Sequence, residues 1–207
     1  MVRFVVMAAG LATRMGRDKL GLPWKKTTVL GHVIETVLQT IKRHKSESML
    51  AKIEIHVVSR QTIDTYVSED GIREFREHGG IWHYVPSPQP LAQTINIGLQ
   101  NINNQIHSYV FLPGDQVGIN VQELSACLEE VLRLCPDFLV PIAGDTTGSP
   151  VFFHKRYVPE LLALQGEQGG RAVLNKYPDR WLKFSVNENL FYDVDTPEQY
   201  QALFNKL

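Results

Sequence analysis

Apolar residues in this chain form two kinds of pattern: short continuous runs, and stretches where they return every third or fourth position. Phe4, Val5 and Val6 make a run that stops at the small residues Ala8, Ala9 and Gly10, as expected of a short buried strand. Val29, Val33, Val37 and Ile41, flanked by Leu30, Ile34 and Leu38, then keep helical spacing. The stretch "KIEIHVVS" (Lys52 to Ser59) reads as a second strand, followed by helical segments without sharp boundaries up to Gly79. A third strand, "GIWHYV" (Gly80 to Val85), precedes a helical Leu91 to Ile102 and an apolar strand "SYVFLPGD" (Ser108 to Asp115) stopped by Pro and Gly. Strand and helix alternate, which predicts βαβ units and a largely parallel sheet.

The second half continues the pattern. Asn120 followed by Glu123 resembles a capping box, opening a helix that carries Val121, Leu124, Leu128 and Val131. "DFLVPI" and "SPVFFH" (Ser149 to His154) read as strands, Pro159 to Leu164 and Arg171 to Tyr177 as helices, and "FYDVD" (Phe191 to Asp195) as a closing strand. Thr196 and Pro197 suit the N-cap and first position of a last helix, with Gln199 completing a box. No internal repeat, low-complexity tract or long linker interrupts residues 1–207, so one α/β domain is expected.

Composition adds little to the fold and something to the function. Lys and Arg number 21 against 22 Asp and Glu, a net charge of -1, which argues against a general nucleic-acid binder that must neutralise many phosphates. No run approaches a membrane span and no leader pattern opens the chain, so a soluble cytoplasmic protein without a membrane partner is expected. Cys127 and Cys135, with apolar neighbours, read as core residues rather than as a disulfide. The seven histidines show no ligand spacing, and no G-x-S-x-G elbow appears, which leaves zinc-enzyme and hydrolase readings without support. Trp24, beside Pro23, reads as packing more than as a stacking platform for a base.

Charge is concentrated locally. After Gly10 come Arg14, Arg17, Lys19, Lys25 and Lys26, with Asp18 as the one acid among them, so exposed backbone N–H groups stand beside cations and suit one small polyanion. The loop is not a P-loop: Gly10 and Gly16 are one residue too far apart and Arg17 stands where Lys is needed. Nor is it the dinucleotide fingerprint, because Ala12 occupies the second glycine position.

The remaining pattern, Ala8-Ala9-Gly10, Arg14-Met15-Gly16, Lys19-Leu20 and Leu22-Pro23, resembles the signature of the nucleotidyltransferases that act on the molybdenum cofactor, most closely the cytidylyltransferase group with its purine-catabolism members. The likeness continues through "PLAQTINIGL", "FLPGDQ", "GSPVFF", "GEQGGR" and "YDVDTPEQY" in order and spacing. It implies a three-layer α/β/α Rossmann-like nucleotidyltransferase fold with a mostly parallel sheet. It also implies a Mg²⁺-dependent transfer of CMP from CTP to the molybdopterin cofactor with release of pyrophosphate. Arg14 and Lys19 would grip the triphosphate and Ala8, Ala9, Gly10 and Leu11 would face the nucleotide. Thr94 would lie near the base and ribose. Asp115 would bind the metal together with Asp193 or Asp195, which a strand would point to one face. GTP as donor, a sugar or polyol phosphate as acceptor, and a non-catalytic cofactor carrier serving a molybdenum hydroxylase are the alternatives. The chain departs from the family pattern at Pro90-Leu91 for Gly-Met, at Val117 for Pro, at Ser149 for a basic residue, and at Glu167 and Gly170 for Asp and Ala.

Overall fold

The computed structural model describes residues 1–10, 18–47, 53–102 and 104–206, without the side chains of 45–47. Strand β1 (Val2–Ala8) is central, with β4 (Ile53–Ser59) parallel on one side and β6 (Ser108–Pro113) parallel on the other. Beyond β4 lies β5 (Ile81–Tyr84), also parallel. Beyond β6 come β9 (Val151–His154), antiparallel to both neighbours, then β7 (Phe138–Ala143) and β10 (Trp181–Ser185), which pair in parallel. A short strand β8 (Thr146–Thr147) folds back on β7, and β2 (Pro23–Trp24) with β3 (Thr27–Thr28) forms a separate hairpin turning at Lys25, whose φ is 52°.

Side-chain alternation on β1 divides the core. Phe4, Val6 and Ala8 join Leu30, Ile34 and Leu38 of α1 (Val29–Glu47) and Leu124 and Leu128 of α4 (Val121–Leu134). Val5 and Ala9 face Ile95 of α3 (Leu91–Gly98), Leu161 of α5 (Val158–Leu162) and Val173 of α6 (Gly170–Leu174). Each such buried aliphatic or aromatic side chain contributes about 1.5–3 kcal/mol. Helix α2 (Glu69–Glu77) follows β4, and α7 (Pro197–Lys206) closes the chain. No helix among the described residues is long and apolar enough to cross a membrane.

Several elements differ from the sequence pattern. Phe191 to Asp195 is not a strand: a 3₁₀ turn, Glu188–Phe191, leads into an extended segment held by Gly118 N–H to the Tyr192 carbonyl (2.9 Å) and Val194 N–H to the Asp115 carbonyl (3.1 Å). Two hydrogen bonds to a loop are too few to make a ladder. Helix α3 stops at Gly98 instead of Ile102: Leu99 closes it, Asn101 turns into the left-handed region, and Arg3 collects the carbonyls just past the helix end, Gln100 O at 2.7 Å and Asn101 O at 3.0 Å. Cys127 is buried, whereas Cys135 is exposed at the left-handed C-cap of α4. The hydrophobic pattern does not mark strand β10, strand β8 or the β2–β3 hairpin.

Both capping predictions can be read in detail. At α7 the box is complete: Gln199 N–H donates to Thr196 Oγ1 (3.2 Å) and Thr196 N–H to Gln199 Oε1 (3.1 Å). At α4, Asn120 Oδ1 accepts from Glu123 N–H (2.9 Å), but Glu123 turns its carboxylate to Asn187 N–H (3.1 Å). The reciprocal half of that box instead ties down the loop between β10 and the 3₁₀ turn that precedes Asp193.

Candidate active site

Numbering along the sheet reverses at β1: the chain moves outward through β4 and β5, then returns to place β6 on the other side. Such a switch point leaves a crevice beyond the carboxyl ends of the two strands. Gly10 follows β1 there and Asp115 follows β6, so the topology alone brings the N-terminal turn to the apolar strand's acid. The strands approach closely where Gly114 donates its N–H to the Met7 carbonyl (3.0 Å); a Cβ on Gly114 would meet Ala8 Cβ and Met7 O at 3.2 Å.

Lys19 enters the crevice from a short 3₁₀ turn, Lys19–Gly21. The turn is set by Asp18, whose carboxylate accepts from Leu20 N–H (3.1 Å) and from the hydroxyl of buried Tyr66 (2.8 Å), while Leu20 and Leu22 anchor it in the core. The third participant arrives from the far end of the chain. Trp24 packs against Tyr200 and Phe204 of α7, and Tyr200 donates its hydroxyl to the Pro23 carbonyl (2.6 Å), so the residues just before α7 lie beside the Lys19 turn. Trp24 is therefore core packing, fully buried.

The result is a charge cluster. Lys19 Nζ is ion-paired with Asp115 and hydrogen-bonded to Asp195 Oδ1 at 3.0 Å, with all three side chains largely enclosed. Burial pulls the Lys19 ammonium down, but the charge of Asp115 and hydrogen bonds to both carboxylates outweigh it and hold the pKa above the ordinary lysine value. Asp193, more exposed, is pushed above the usual carboxylate range by partial desolvation and by the charges of Asp115 and Asp195. Of the two candidate acids, Asp195 is the one that shares the ammonium with Asp115. Among the described residues no three His, Cys, Asp or Glu side chains are grouped to hold a metal ion by themselves.

Beside the cluster lies a cavity of about 910 Å³, joined to it through Asp193 and Gln116. Gly10 and Thr94 line it, and Thr94 is buried with its hydroxyl donating back to the Pro90 carbonyl (3.3 Å). Ala8 is the last residue of β1, and Ala9 gives its carbonyl to Gln89 N–H (3.1 Å). Leu11 and Arg14 lie outside the described residues. Lys25 and Lys26 sit exposed on the hairpin, apart from the Lys19 turn.

Four contributors had no assigned role in the sequence. Gln116 Nε2 donates to the carbonyls of Ser149 and Leu190, each at 2.7 Å, and so joins the Asp115 loop to the β8–β9 connection and to the turn before Asp193. Its place directly after Asp115 was the available signal. Tyr66 and Asp18 form their contact across 48 positions and had no local signature. At the far wall, Arg171 Nη2 donates to Thr147 O (3.2 Å) and Oγ1 (3.1 Å), and is the one cation among the described residues lining the cavity.

A family model described as the MobA-like NTP transferase domain matches residues 4–181. A protein named probable molybdenum cofactor guanylyltransferase, from Bacillus mycoides, is 22% identical over 205 residues, 95% of this chain and 92% of its own. The purine catabolism protein PucB of Bacillus subtilis is 21% identical over 203 residues, 96% and 94% of the two chains. Among solved structures, Rv0371C of Mycobacterium tuberculosis in complex with manganese superposes with a TM-score of 0.75 at 20% identity, covering 100% of this chain and 99% of that one.

Proposed function

The chain belongs to the MobA-like NTP transferase domain family and is a nucleotidyltransferase; from that premise we propose that it transfers CMP from CTP to the terminal phosphate of the molybdopterin cofactor, with magnesium. The observation that carries this reading is the ammonium of Lys19 held between Asp115 and Asp195 at the sheet's switch point, beside a cavity large enough for a nucleotide and part of an acceptor.

In this reaction an acceptor phosphate oxygen attacks the α-phosphorus of the triphosphate, the bond to the bridging oxygen breaks, and pyrophosphate leaves with the electron pair. Little covalent work falls to the protein, so catalysis is positioning and charge neutralisation. Lys19, with Arg14, would bind the triphosphate and take up charge that grows on the leaving group. Gly10 brings bare backbone to the nucleotide, and Thr94 lies on the wall where the sugar or base would rest.

The acids fit a hard divalent ion. An ammonium already stands between two carboxylates, and magnesium typically takes one or two carboxylates together with phosphate and water oxygens. Asp115 and Asp195 would hold it, with Asp193 nearby. When bound, the ion would neutralise phosphate charge and align the triphosphate.

CTP is favoured by the A-A-G and K-L-x-L-P residues of the first loop. The name of the Bacillus mycoides relative makes GTP the competing donor. For the acceptor, Phe111, Val140, Phe153 and Leu174 give the cavity an apolar lining that suits a flat ring better than a polyol. Ser149 brings no charge, which leaves Arg171 to meet an acceptor anion. The test is pyrophosphate release from CTP, GTP, ATP or UTP with Mg²⁺ and molybdopterin. CTP should be turned over fastest, and Lys19→Ala should fall at least ~100-fold. Faster release with GTP moves the donor, activity with a polyol phosphate moves the acceptor, and no release with any combination makes the protein a carrier.

A further inference from the structure

We propose that Lys19 is the resident counter-ion of the metal site, so that a divalent ion is admitted only as a nucleoside triphosphate draws the ammonium away from Asp115 and Asp195. The inference rests on the reading of these acids as metal ligands and adds an order to their use. The ammonium touches both carboxylates, so an ion that drew on the same acids would meet its charge. Two cations against the same oxygens repel, so the ammonium and the metal compete.

The backbone of Lys19 is held from both sides of its turn. Asp18 caps the turn and is itself held by Tyr66, whose carbonyl in turn accepts from Thr28 Oγ1 at 2.8 Å, and Leu20 and Leu22 are buried on either side of the exposed Gly21. Release of the carboxylates therefore falls to the side chain, a long flexible stem carrying a point charge that needs another anion to move to. A triphosphate in the crevice supplies it. Without nucleotide the protein offers a metal two carboxylates that already share the one positive charge of Lys19, and no group of three His, Cys, Asp or Glu ligands among the described residues. With nucleotide it offers two freed carboxylates and phosphate oxygens. Linkage then requires that metal raise nucleotide affinity by the same factor as nucleotide raises metal affinity.

Mn²⁺ binding, followed by electron paramagnetic resonance on full-length protein with and without CTP, tests this directly. Wild type should bind Mn²⁺ weakly alone and at least ~10-fold more tightly with CTP. Lys19→Gln should bind Mn²⁺ alone at least ~10-fold more tightly than wild type does, and Lys19→Arg, which keeps the charge, should not. Thermal melts of each variant verify folding, and Lys19→Met is the substitute if Gln fails to fold. Equal or weaker Mn²⁺ binding by the uncharged variants overturns the proposal, as does a wild type that binds the ion equally well with and without CTP. Absence of Mn²⁺ binding even with CTP overturns the metal-site reading itself, and with it this inference.

Discussion

Replacing Gln116 with leucine separates the architecture of the site from its chemistry. Gln116 is 2% exposed, and Nε2 spends its hydrogens on two backbone carbonyls from segments far apart in sequence, Ser149 and Leu190. This fixes the amide's orientation and leaves its Oε1 buried without a partner. Leucine keeps a similar volume and removes both donors. Each deprived carbonyl costs about 1–3 kcal/mol, while loss of the orphaned oxygen recovers a similar single amount, so the net destabilisation is about 1–3 kcal/mol. For a chain of this size each kcal/mol lowers Tm by about 2–4 °C, which puts the expected fall at about 2–12 °C. Urea and thermal denaturation measure it. Mn²⁺ affinity in the presence of CTP should fall as well, since Leu190 leads into the segment carrying Asp193 and Asp195. A variant within ~0.5 kcal/mol of wild type, with unchanged Mn²⁺ binding, would refute the idea that Gln116 joins the two halves of the site.

Other substitutions probe separate contacts. In Gly118→Ala the new Cβ would lie 1.8 Å from the Asn189 carbonyl oxygen and 3.0 Å from Tyr192 N, so the turn before Asp193 must move; the expected loss is about 1–3 kcal/mol in urea, with weaker Mn²⁺ binding. Arg3→Met removes a buried guanidinium that joins Glu54 at 3.0 Å to the carbonyls of the turn after α3, and should cost about 3–5 kcal/mol by denaturation. His56 is fully buried, with Nδ1 3.0 Å from His83 Nε2, and burial, then Arg3 and His83, lower its pKa to about 3. The unfolded chain therefore binds this proton more readily than the folded one between about pH 6.5 and 3, and stability falls as pH drops through that window, by about 2 kcal/mol at pH 5. His56→Gln should flatten the pH dependence of Tm between pH 7 and 5; an unchanged slope would show that another group is responsible.

Local patterning was enough for most of the sheet and for the helix starts. Runs such as Phe4 to Val6 and caps such as Thr196 with Gln199 depend on neighbours a few positions away, and those neighbours are visible in the sequence. What escaped depends on distant partners. The segment through Asp193 and Asp195 alternates like a strand, yet the loop after Asp115 offers it only two hydrogen bonds. Helix α3 ends early at a turn whose carbonyls are gathered by Arg3, nearly a hundred positions away. At the site, the nearness of Lys19 to Asp115 follows from the order of strands, whereas the choice of Asp195 to share the ammonium depends on α7 packing over Trp24. Cys135 looked apolar from its neighbours but closes a helix in the left-handed conformation, which faces it outward.

The most direct measurement is anomalous diffraction at the manganese edge from crystals grown with CTP and Mn²⁺. The account predicts a peak bonded to carboxylate oxygens of Asp115 and Asp195 and to phosphate, with Lys19 Nζ moved onto the triphosphate. A peak elsewhere on the molecule, or nucleotide bound with Lys19 still paired to both acids, would contradict it.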